Sequence, residues 1–117
     1  MTKQHYIKEA ICGYKEAIAF TDCQEGDETA NARWSREMLA AITQDVTAFI
    51  TENYALLQQA DMTGTQTGID FWLSRNGHGG GFFDRGLGEL GEQLQGAAEA
   101  YGVKEVYLGD NGKVYFA

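Results

Sequence analysis

Ile69-Asp70-Phe71-Trp72-Leu73-Ser74-Arg75-Asn76-Gly77-His78-Gly79-Gly80-Gly81-Phe82-Phe83-Asp84-Arg85 is the stretch on which the fold turns. Residues 69–74 are short, apolar and aromatic, with Phe71 and Leu73 alternating against Asp70, Trp72 and Ser74, the pattern of a strand. Asn76-Gly77 is a strong turn signal, and Gly81-Phe82-Phe83-Asp84-Arg85 reads as the return strand. The expectation is a β-hairpin with a wide, glycine-rich end, where glycines at 77, 79, 80 and 81 let the backbone take positive φ.

Outward from this hairpin, the C-terminal side carries Leu87, Leu90, Leu94, Ala97, Ala98 and Tyr101 at helical spacing. That helix is expected to start firmly near Glu89 and to end at Gly102 in a C′ position. Residues 103–108 and 113–116 then read as two strands joined by Gly109-Asp110-Asn111-Gly112. On the N-terminal side, Tyr6, Ile7, Ala10, Ile11, Tyr14, Ala17 and Ile18 stack on one helical stripe over residues 3–20, with Thr2 as its N-cap. Gly13 weakens this helix by about 1 kcal/mol relative to alanine. Trp34, Met38, Ile42, Val46, Phe49, Ile50 and Leu57 mark a long amphipathic helix over 34–58 that begins between 29 and 33. Residues 21–31 and 61–68 are loops by composition. The expected fold is α+β: a single domain over 1–117, in the order α-α-β-β-α-β-β, with helices packed on a small, mainly antiparallel four-stranded sheet. The helical half is about 1–60 and the hairpin-helix-hairpin half about 69–117.

The chain has 117 residues, 44% of them apolar, which suits one domain with a real core. No apolar run approaches the roughly 20 residues that span a bilayer, so no membrane role is expected. The net charge of −8 opposes nucleic-acid phosphates. Between Arg36 and Arg75 the chain has no basic residue but has Glu37, Asp45, Glu52, Asp61 and Asp70. The basic-free run 86–103 holds Glu89, Glu92 and Glu99, and Asp22, Glu25, Asp27 and Glu28 form a third acidic cluster. Such a surface either keeps a small domain soluble or meets a basic site on a partner protein. Cys12 and Cys23 lack CxxC or Cys/His zinc spacing, so no metal is implied, and Cys12 reads as a small buried hydrophobe. Two cysteines in an acidic chain fit reduced thiols in a cytoplasm.

Two strings invite catalytic readings and fail on context, and one constellation stays open. His78-Gly79-Gly80-Gly81 matches an oxyanion-hole loop, yet neither Ser35 nor Ser74 sits in a nucleophile elbow. Gly77-x-Gly79 begins like a dinucleotide loop but runs into a strand pattern rather than a helix, and no phosphate-loop lysine exists. Asp70, Arg75, Asn76, His78, Asp84 and Arg85 would converge near one end of a hairpin, where Arg75, His78 and Arg85 could surround an anion. The simpler account pairs Arg75 or Arg85 with Asp70 or Asp84 to hold the hairpin register, leaving His78 on a solvated turn. Phe71, Trp72, Phe82 and Phe83 are either covered by other elements or form an exposed aromatic docking patch.

The run from Asp70 to Gly86 resembles a family of small phage, prophage and plasmid proteins with the signature D-F-W-L-T-R-N-G-H-G-x-G-F-W-D-R. Ser74 and Phe83 depart from it mildly, and Tyr101-Gly102 and Tyr107-Leu108-Gly109-Asp110 extend the likeness. The resemblance covers the C-terminal half firmly and the helical half in pattern alone, and it carries no catalytic residue. It implies an accessory protein of a mobile element in a bacterial cytoplasm. The leading expectation is therefore a non-enzymatic protein without cofactors. It would bind a host protein or complex, as anti-CRISPR or antirestriction proteins do, and would bind no nucleic acid directly. The binding residues would be Trp72, Arg75, Asn76, His78, Phe83, Asp84 and Arg85 on the hairpin, with Glu37, Asp45 and Glu52 on the acidic stretch. A small anionic-ligand-binding protein or enzyme using Arg75, His78 and Arg85, and a homodimer through the hairpin edge, are the alternatives.

Overall fold

Thr2 caps the first helix with its hydroxyl, which accepts from the His5 N–H at 3.1 Å. The computed structural model describes residues 2–117 and begins there. Helix α1 spans Lys3–Asp22, β1 Arg33–Trp34, α2 Arg36–Gln59, α3 Gly64–Arg75 and α4 Glu89–Glu99. Strands β2 (Val106–Leu108) and β3 (Lys113–Phe116) close the chain, and a 3-10 turn at Phe82–Arg85 lies between α3 and α4. Each long helix starts on a hydroxyl cap: Ser35 serves α2 and Thr63 serves α3, each accepting from the N–H three residues on.

The expected hairpin at 69–85 does not form. Residues 69–75 belong to α3, and Phe82–Arg85 is a 3-10 turn. The described chain therefore holds four helices and a three-stranded sheet, in the order α-β-α-α-α-β-β, not a four-stranded sheet. Two physical facts account for the difference. Asp70, Phe71, Trp72, Ser74 and Arg75 are all buried, so α3 is enclosed on most sides and its sequence lacks the polar stripe that betrays a helix. The Asn76-Gly77 signal is real but ends a helix. Gly77 takes φ +72°, its N–H donates to the Ser74 carbonyl at 3.3 Å, and the His78 N–H donates to the Leu73 carbonyl at 2.9 Å. That pair of bonds is a Schellman cap.

The stretch 61–68, read as a loop, instead supplies the helix's N-terminus and its docking face. A Cβ on Gly64 would press on the Tyr6 carbonyl, one on Gly68 would run into the Ala10 carbonyl, and one on Gly13 into the Thr65 carbonyl. The glycines are thus what allows α1 and α3 to touch backbone to backbone, in parallel, as small residues do at close helix crossings. The role of Gly13 is this contact, which outweighs its intrinsic propensity cost. Trp72 closes the far end of the pair, its indole N–H donating to Thr21 Oγ1 at 2.9 Å.

The core lies between this pair and α2, α4 and the sheet. Phe49 of α2 stacks on Phe71 with ring centroids 4.2 Å apart, and Phe82 stacks against Phe49 at 5.7 Å. Tyr14, Met38, Ile42, Ile50, Leu57, Leu94 and Val114 complete it. Strand order is β1-β3-β2; β1 pairs parallel with β3, and β2 antiparallel with β3 in the register Tyr107 to Tyr115. The loop 109–112 joins β2 to β3 as expected. The partner missing from the sequence reading was β1, two residues long, which extends into the cap of α2 as the Ser35 N–H donates to the Val114 carbonyl at 2.9 Å. Cys12, expected to be buried, is exposed on α1, and Cys23 is half-buried; both are free thiols.

Candidate functional site

The charged residues singled out from the sequence divide into those that hold the fold and those that face water. Arg75 belongs to the first group. It ends α3, is 3% exposed, and spends its guanidinium on the protein interior. Its Nε donates to the Gly102 carbonyl and its Nη2 to the Tyr101 carbonyl, each at 2.8 Å; its Nη1 donates to Tyr14 Oη at 3.0 Å and to Asp45 Oδ2 at 2.8 Å. One side chain thereby ties α1, α2, α3 and the exit of α4 together. The planar fork suits this role because it satisfies several acceptors at fixed angles. Burial pushes the Tyr14 phenol up to about 12, against the opposing pull of the Arg75 charge. Tyr101 is also raised, by burial first and then by the Glu52 carboxylate that accepts its hydroxyl proton at 2.8 Å.

Asp70 is completely buried, and both its oxygens are engaged. Arg85 grips it with two bonds, Nε to Oδ2 at 2.8 Å and Nη2 to Oδ1 at 2.9 Å, and Gln66 donates to Oδ1 at 2.7 Å. The carboxylate raises the Arg85 pKa further. This pair holds the 3-10 turn against α3 in place of the expected hairpin register. Asn76 donates to the Trp72 carbonyl and accepts from the Lys104 N–H at 2.8 Å, anchoring the segment that leads to β2. Asp84 accepts the Gly80 N–H at 2.7 Å, and Ser74 Oγ accepts the Phe82 N–H at 3.0 Å, so the glycine-rich loop is pinned at both sides.

Trp72, Arg75 and Asn76 are therefore not on a docking surface: Trp72 and Arg75 are buried, and Asn76 is half-buried and bonded. Of the aromatic patch, Phe71, Trp72 and Phe82 are in the core and Phe83 alone is open, at 65% exposure. Arg75, Arg85 and His78 do not surround a common point. Asp70 and Arg75 are five residues apart on α3, about 140° around the helix, so the two guanidinium groups serve different faces. His78 stands on the exposed loop without a side-chain hydrogen bond among the described residues. No group of three His, Cys, Asp or Glu side chains among the described residues is arranged to hold a metal ion. No described helix is long and apolar enough to cross a membrane.

What remains in water is acidic. From residue 37 to 103 the only cations are Arg75 and Arg85, and each is paired internally, with Asp45 and with Asp70. Glu37, Glu52, Asp61, Asp84, Glu89, Glu92 and Glu99 are then left exposed with no cation of that stretch to offset them. The hydrogen bond from Tyr101 to Glu52 sets the Glu52 carboxylate of α2 beside the residues that leave α4. The sequence reading passed over one feature of the opposite helix pair. Phe20, at 72% exposure, stands beside Ile69 and Leu73 over an open groove between α1 and α3. Reading 69–75 as a strand hid this groove, because it needs Ile69 and Leu73 on one face of a helix.

No protein-family model, no curated protein and no solved structure matches the chain.

Proposed function

We propose that this chain is a small accessory protein of the kind carried by phages and mobile elements, acting in the cytoplasm of a bacterial host. It turns over no substrate and binds a host protein through its acidic side. The site it covers is one that ordinarily holds nucleic acid, and the consequence is inhibition of a defence system of the CRISPR or restriction type. The observation that carries the reading is the internal pairing of Arg75 and Arg85. It neutralises the only cations of residues 37–103 within ion pairs, Arg75 buried and Arg85 partly exposed on its buried Asp70 partner, and leaves the other carboxylates of that stretch without a cation of their own. Such an acidic surface steers a basic partner and repels phosphates. The resemblance of 70–86 to mobile-element proteins supports the genetic setting. The buried and engaged Arg75 guanidinium weighs against the anion-site alternative, and the Arg85 charge is already matched by Asp70.

The test is capture from a bacterial lysate on immobilised wild-type chain and on an E52Q/E89Q/E92Q/E99Q variant. The expected result is a nucleic-acid-binding protein held by wild type alone, released as salt rises through about 0.5 M and displaced by added duplex DNA. A partner held equally by the neutralised variant, or retained at high salt and in excess DNA, overturns the reading.

A further inference from the structure

Phe20 is the most exposed large apolar side chain among the described residues, and it borders a groove rather than standing alone. The groove has a volume of about 450 Å³ and a mainly apolar lining, with Ala17 and Phe20 of α1 on one side and Ile69 and Leu73 of α3 on the other. Gly79 of the pinned loop closes one end. Ile69 and Leu73 are four residues apart, as are Glu16 and Phe20, so each helix offers a continuous face to the groove. Two parallel helices with an open apolar seam leave room for the stripe of a third helix.

Charge selects the occupant. Glu16 lies in the lining, at the end of the groove away from Gly79. At the other end, the Asp84 carboxylate stands 3.9 Å from where a Cβ on Gly79 would be. Lys8 and Lys15 fall on the opposite side of α1 from Ala17, at about 100° per residue. The margin is thus negative at both ends. A second copy of this chain would bring Glu16 and Asp84 against like charges, whereas an amphipathic helix with ammonium groups flanking its apolar stripe meets complementary ones. We infer that the α1–α3 groove is a docking site for a basic amphipathic helix of a partner protein, with Phe20, Ile69 and Leu73 as its apolar anchors. This surface is distinct from the acidic side of α2 and α4, and the inference does not depend on that side's role.

The probe is a synthetic peptide of about 14 residues, roughly four turns, made of leucine and lysine at helical spacing. Its controls are the leucine–glutamate counterpart and a scramble of the leucine–lysine sequence that has no stripe. Binding is read by fluorescence anisotropy of labelled peptide, and its place by amide chemical shifts. The striped basic peptide is expected to bind and to move resonances of 16, 17, 20, 69, 73 and 79, while both controls bind at least about tenfold more weakly. Phe20→Ser and Leu73→Ser are each expected to weaken it at least about fivefold; Phe20→Ser, at an exposed position, keeps the wild-type circular dichroism and melting temperature. Equal binding of the scramble, or wild-type affinity in Phe20→Ser, overturns the proposal. So does a concentration-dependent dimer in light scattering that Phe20→Ser dissolves, since the occupant is then a second copy. The E52Q/E89Q/E92Q/E99Q variant is expected to bind the peptide within about twofold of wild type, which separates failure here from failure of the proposed function.

Discussion

Arg75 shows how far a residue's environment departs from its identity. A residue that the sequence offers either for an anion or for an ion pair with Asp70 or Asp84 is, in the folded chain, the hub that joins Tyr14, Asp45, Tyr101 and Gly102. Replacing it with Met leaves the Tyr14 hydroxyl and two carbonyls without their donor in a buried place. The expected loss is about 3 kcal/mol in urea unfolding, while His78→Ala, on the exposed loop, stays within about 0.5 kcal/mol. A result with the two reversed would mean the arginine is exposed. The same cluster sets an alkaline limit. The Tyr14 phenol titrates near 10 in an unfolded chain and at about 12 when folded, because burial disfavours the phenolate. Its contribution is therefore fully present below pH 10 and is lost as pH rises from 10 to 12, on the order of 2–3 kcal/mol in all. Melting temperature is expected to fall steeply across that window, and the fall is expected to be shallower in Tyr14→Phe, which has no proton to lose. An unchanged alkaline limb in Tyr14→Phe would place the sensitivity elsewhere.

At the scale of elements, what was legible depended on whether one face met water. Helix α2 keeps a polar side, so its stripe over 34–58 was legible, although its start falls at Arg36 after the Ser35 cap and not between 29 and 33, where β1 lies; α4 begins at the Glu89 expected of it. Helix α3 has almost no polar side, so its alternation of Phe71 and Leu73 with Asp70, Trp72 and Ser74 carried no information about period: four of those five residues are buried alike. The signals that would have found it lay at its ends, in the Thr63 cap and in Arg75-Asn76-Gly77, a cation in the last turn followed by a left-handed glycine. Gly64 and Gly68 read as loop for want of the knowledge that another backbone lies against them. That contact makes a sharp comparison. Gly68→Ala must push α1 and α3 apart against backbone on both sides, and is expected to cost about 3 kcal/mol or more. Gly96 of α4 has open space where its Cβ would go, and Gly96→Ala is expected to add up to about 1 kcal/mol from helix propensity alone. Denaturant melts of the two variants measure both, and a tolerated Gly68→Ala would refute the close approach of α1 and α3.

Over the whole molecule, the sign of the surface was legible where the sheet was not, because charge is read by counting and pairing is not. β1 is two residues long and pairs with a strand some eighty residues later, a relation no local pattern carries. The net charge of −8 has a consequence that needs no partner. With Arg75 and Arg85 held in ion pairs, exposed carboxylates such as Glu89 and Glu92, three residues apart at the start of α4, repel each other. Two opposing effects act when salt is added. Screening weakens the bonds of Arg75 to Asp45 and Arg85 to Asp70, but each pair is short and has one buried partner, Arg75 and Asp70, so screening reaches it less than it reaches carboxylates in open water. The repulsion among surface carboxylates acts through water and is screened once the Debye length falls below their spacing, about 10 Å at 0.1 M. Repulsion therefore decides the sign. Melting temperature at pH 7 is expected to rise by about 4 °C between roughly 0.01 M and 0.5 M sodium chloride, the equivalent of about 1 kcal/mol for a domain of this size. An E89Q/E92Q/E99Q variant is expected to start higher at low salt and to gain less, since it lacks part of the repulsion to be screened. A melting temperature that falls with salt would mean that the two ion pairs stabilise the fold by more than the surface carboxylates destabilise it.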